Sequence, residues 1–179
     1  AEPDTGNLYG IDTSQEGTSI AFTTPMGRGS GTSPAISHDG KRVYAIDDAG
    51  LMVAVSTETG QSLWETEQTM GQASPSVGPD ETLYSFSGLA GTIVAIEGQT
   101  GKVKWRQQYD AFAREHLTWI PFLGRVTTID GLITVTDSGL FAYFDLNYEI
   151  RGGDQPYPQP RQVRVGQVDP ETGEIVTSF

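Results

Sequence analysis

The chain contains no cysteine, which excludes disulfides, thiolate metal sites and cysteine nucleophiles together. Lysine is nearly missing, with three copies, and 11 basic residues against 23 acidic ones leave a formal net charge of −12. A surface of that sign repels phosphate and argues against nucleic acid as a partner. Nor is there an apolar run approaching the roughly 18 residues that a membrane-crossing helix needs. No serine elbow, phosphate loop, dinucleotide fingerprint or zinc motif is written into the sequence.

What is plentiful is turn chemistry. In 179 residues there are 22 glycines and 10 prolines, with 36% hydrophobic and 19% charged residues. That balance predicts many short strands in a single all-β domain. The sequence opens at Ala1 without an initiator methionine, as expected either of an exported protein whose leader has been removed, in the periplasm or outside the cell, or of a trimmed fragment.

A repeat organises the chain. "TETGQSLW" at 57 to 64 returns as "GQTGKVKW" at 98 to 105, and Trp64 and Trp105 stand 41 residues apart. Ser33-Pro34 returns as Ser74-Pro75, Tyr44 as Tyr84, Ala49-Gly50 as Ala90-Gly91 and Val53-Ala54 as Val94-Ala95, with a single-residue slip in the first hairpin. The period falls in the range of about 40 to 45 residues expected of four-stranded propeller blades. Each copy reads as four strands: "SPAIS", "RVYAID", "LMVAVS" and "SLWETE", then "SPSVG", "TLYSFS", "TIVAIE" and "VKWRQQ". "LMVAVS" and "TIVAIE" are the most continuously apolar, as strands covered on both faces must be. The Thr-Gly step predicts a left-handed glycine between the third and outermost strands, with the tryptophan on the outer strand wedged against the next blade.

This pattern resembles the tryptophan-docking motif of the pyrroloquinoline-quinone-like repeat family, Ala-x-Asp-x-x-Thr-Gly-x-x-x-Trp. Ala54, Thr59, Gly60 and Trp64 match it, as do Ala95, Thr100, Gly101 and Trp105, while Ser56 and Glu97 stand at the aspartate position. A third match near the C-terminus keeps Asp169, Thr172 and Gly173 but has Thr177 for the tryptophan; a fourth near the N-terminus keeps Asp12 and Gly17, with Phe22 as the aromatic. The resemblance implies a β-propeller of four-stranded antiparallel blades, either a ring of about four or a fragment of a ring of seven or eight.

On this reading a half blade occupies 1–27, full blades 30–67 and 72–108, a linker 109–124, and a blade with an insertion 125–179. In that last blade "RVTTID", "LITVTD" and "LFAYFDLN" read as three successive strands, interrupted by a Pro- and Gly-rich insertion over 149–165 before "VRVGQVD" and "EIVTSF". Gly60, Trp64, Gly101, Trp105 and Gly173 are the expected docking residues. Tyr109, Phe112, Trp119 and Phe122 on the non-repeating linker, with Tyr157 in the insertion, are candidates for gripping a partner.

Chemistry is sparse. His38 lies in a turn whose counterpart is Pro79, and His116 sits beside Arg114 and Glu115 in a short polar stretch. The acidic turns "IDDAG" and "GPDET" lack the ligand spacing of a calcium loop. Quinone-dependent dehydrogenases of the resembled family carry a calcium-binding Glu and Asn, a catalytic Asp and a cysteine pair, and this sequence has no cysteine. The expectation is a non-catalytic extracytoplasmic scaffold that binds protein, similar to outer-membrane assembly propellers, with no resident cofactor and with self-association through open blade edges. The alternatives are a piece of a quinone dehydrogenase, holding the quinone and calcium, or a propeller that binds a sugar or other small ligand.

Overall fold

A computed structural model describes residues 6–14, 16–27, 29, 32–67, 71, 73–87, 91–109, 126–148 and 161–178. All the regular structure among them is strand, in one two-stranded and three four-stranded antiparallel sheets. The first sheet pairs β1 (Gly6–Asp12) with β2 (Ser19–Met26). The second runs in chain order through β3 (Ala35–Ile36), β4 (Arg42–Ile46), β5 (Met52–Ser56) and β6 (Ser62–Glu65). The third repeats it with β7 (Ser76–Val77), β8 (Thr82–Ser87), β9 (Thr92–Glu97) and β10 (Val103–Gln108). The fourth holds β11 (Val126–Thr136), β12 (Gly139–Tyr148), β13 (Arg161–Val168) and β14 (Ile175–Ser178). No helix among the described residues is long and apolar enough to cross a membrane.

Each sheet lays one face on the next. Leu8, Phe22 and Met26 of the first sheet pack on Val43, Ala45, Val53 and Val55 of the second. The opposite face of the second sheet, with Tyr44, Ile46, Met52 and Ala54, meets Leu83, Val94 and Ile96 of the third. Tyr84, Phe86, Ile93 and Ala95 then meet Ile133, Leu140, Ala142 and Phe144 of the fourth. Strands β5 and β9 feed both of their interfaces, and this is why they read as continuous apolar runs: every residue from Met52 to Val55 and from Thr92 to Ile96 is buried. Hydrogen bonds also tie the sheets along their short first strands. Ser33 N donates to Ser74 Oγ at 2.8 Å, and Ser76 Oγ donates to the Ile133 carbonyl at 2.7 Å.

One strand differs from its sequence reading. "RVTTID" and "LITVTD" are not two strands but one, β11, which runs straight through the Asp130-Gly131 step. Asp-Gly is a strong hairpin signal, but here the glycine makes room. A Cβ on Gly131 would come within 2.3 Å of the Tyr143 carbonyl oxygen and 2.8 Å of the Phe86 ring of the neighbouring sheet. Consequently the long connection between β12 and β13 falls between the second and third strands of the last sheet, not after its third.

Candidate functional site

The most regular feature of the chain is a turn repeated three times between a third and a fourth strand. Gly60 N donates to Ser56 O, Gly101 N to Glu97 O and Gly173 N to Asp169 O, at 2.8 to 2.9 Å. All three glycines are left-handed, with φ of 70°, 74° and 78°. The threonine before each accepts a hydrogen bond from the amide two residues on, Thr59 from Gln61, Thr100 from Lys102 and Thr172 from Glu174. The residue four before each glycine caps the same loop. Ser56 Oγ accepts from Thr59 N, the Thr100 hydroxyl donates to the Glu97 carboxylate, and Asp169 Oδ1 accepts from the amides of Glu171 and Thr172. Those amide bonds hold the Asp169 carboxyl below its usual range.

Each of these glycines lies under an aromatic ring from the preceding sheet. A Cβ on Gly60 would meet Phe22 at 2.4 Å, on Gly101 the Trp64 indole at 2.7 Å, and on Gly173 the Trp105 indole at 2.7 Å. The indoles also donate forward: Trp64 Nε1 to the Gly98 carbonyl at 3.1 Å and Trp105 Nε1 to the Pro170 carbonyl at 2.8 Å. Behind them stand tyrosines of their own sheets, with ring centroids 5.9 Å apart for Tyr44 and Trp64 and 6.0 Å for Tyr84 and Trp105. Across the ladder each aromatic faces a small residue: Gly10 opposite Phe22, Ala54 opposite Trp64 and Ala95 opposite Trp105. In the last sheet the pair is Gln167 and Thr177, so the outer strand there presents no ring.

Tyr109, grouped by sequence with partner-binding aromatics, is instead an inter-sheet filler. It is 3% exposed, its hydroxyl donates to the Gly173 carbonyl, and its ring lies 5.2 Å from that of Phe144. Burial pushes its phenol pKa up. Phe112, Trp119, Phe122, Tyr157 and His116 lie outside the described residues.

His38 joins two sheets. Its backbone amide and its ring Nδ1 both approach Glu81 Oε1, at 2.8 and 2.9 Å. Glu81 is the one non-glycine residue among those described with positive φ, 63°, and its counterpart in the preceding sheet is Gly40 at 70°. The slip in the first hairpin therefore places a side chain at a glycine site, where it reaches across to the neighbouring blade. Nothing in the sequence pattern announces that use. Because a left-handed residue with a Cβ costs about 1 to 2 kcal/mol, Glu81→Ala should be less stable than Glu81→Gly by about 1 kcal/mol in urea unfolding. Equal stabilities would mean that the turn is unstrained.

Asp80 forms the charged knot of the same turn. Its carboxylate accepts from Thr82 N and Oγ1 and from Lys104 Nζ, at 2.7 to 3.1 Å. Partial burial acts to raise its pKa, but the bonds from Thr82 and Lys104 outweigh it and hold the carboxyl at about 2. The folded value is thus depressed. Its contribution is complete above the unfolded value near 4 and disappears as pH falls towards 2. Asp80→Asn should be less stable than the parent at pH 7, with the gap closing between about pH 4 and pH 2; a gap independent of pH would refute this assignment.

No protein-family model matches the chain, and no curated protein is significantly similar to it. Solved structures are similar in fold. A europium-containing methanol dehydrogenase aligns over 97% of this chain and 38% of its own, at 13% identity and a TM-score of 0.66. BamB from Moraxella catarrhalis aligns over 89% of this chain and 40% of its own, at 16% identity and 0.58. A quinohemoprotein alcohol dehydrogenase from Pseudomonas putida HK5 aligns over 100% and 34%, at 14% identity and 0.53. The chain thus has a β-propeller fold and spans well under half the length of these three proteins.

Proposed function

We propose that the chain is a non-catalytic, extracytoplasmic module that binds protein, built as a stiff row of propeller blades with sheet faces on offer. The observation that carries this reading is the outward face of the last sheet. Leu132 pairs with Tyr143 and Tyr143 with Val165 in one row across three strands. With Val163 beside them they form an apolar surface whose members are 36% to 57% exposed. Such a face, on a sheet already anchored from behind, suits association with another protein. The docked turns fit this role too, since a platform needs stiff joints between blades more than it needs a reactive group. Outer-membrane assembly scaffolds with propeller folds supply a functional analogy.

A quinone-dependent activity would need a divalent ion beside the cofactor. Among the described residues no group of three or more His, Asp or Glu side chains is placed to hold one, and the cysteine pair of such enzymes has no counterpart. The described residues do not fit that group.

Native mass spectrometry of the chain incubated with pyrroloquinoline quinone and calcium separates the two readings. The bare polypeptide mass, alone or in multiples, is expected. A stoichiometric quinone adduct that depends on calcium would overturn the protein-binding reading.

A further inference from the structure

No further inference is drawn: the strongest candidate, the basic row of Lys102, Lys104 and Arg106 at alternate positions along the edge strand β10, has its Lys104 ammonium already held by Asp80 and Thr82 of the same blade, and nothing in the structure shows what covers that edge.

Discussion

Trp64→Ala is expected to destabilise the chain by about 3 kcal/mol, the lower end of the range for truncating a large aromatic, because the indole is only half buried. Three contacts go at once: the stack on Tyr44, the cover over Gly101 and the bond from Nε1 to the Gly98 carbonyl. That carbonyl is not left without a donor, since the Tyr44 hydroxyl also reaches it at 3.2 Å. The loss is therefore mainly of packed surface. Trp64→Phe, which keeps a ring but not the N–H, should cost less, with about 1 kcal/mol of its penalty from the hydrogen bond. For a chain of this size a 3 kcal/mol loss lowers Tm by on the order of 10 °C. An unchanged melting temperature for Trp64→Ala would remove the docked aromatic from the account of stability.

Gly101→Ala is expected to cost about 2 to 5 kcal/mol, from two separable terms. A Cβ at φ 74° costs about 1 to 2 kcal/mol wherever it occurs, and its collision with the indole at 2.7 Å adds an overpacking penalty of about 1 to 3 kcal/mol. Gly40→Ala supplies the control. Gly40 has φ 70° with nothing within 4 Å of the position a Cβ would take, so only the backbone term applies. In chemical unfolding Gly101→Ala should therefore lie below Gly40→Ala by at least 1 kcal/mol. Equal penalties would show that the ring does not bear on the turn.

The strand order of the middle two sheets was legible in the sequence because alternation, turn residues and the repeat all point the same way. The chain contains two copies of Ser-Pro, Tyr, Val-Ala, Thr-Gly and Trp in register, and a packing rule written twice can be read. The last sheet was harder. Asp130-Gly131 has the composition of a turn, and the close approach of the Tyr143 carbonyl and of the Phe86 ring from the neighbouring sheet accounts for a glycine within the strand there. Tyr109 misled for a similar reason: an aromatic just past the last repeat residue reads as free, until the Gly173 carbonyl and the Phe144 ring are placed against it. The contact between His38 and Glu81 left no periodic trace, because it uses a one-residue slip rather than a repeated position. Local chemistry gave the blades, while contacts between blades needed the third dimension. The exposed row on the fourth sheet was equally silent, since apolar alternation looks the same whether the face is covered or open.

The central claim is that each outer-strand ring is coupled to the glycine turn of the next sheet and to no other, and a double-mutant cycle tests it directly. Trp64→Ala and Gly101→Ala should be non-additive by about 1 to 2 kcal/mol, because removing the indole makes room for the new methyl group. Trp64→Ala and Gly173→Ala share no contact and should add to within about 0.5 kcal/mol. Additive penalties in the first pair, or coupling as large in the second, would contradict the sheet-by-sheet docking on which the account rests.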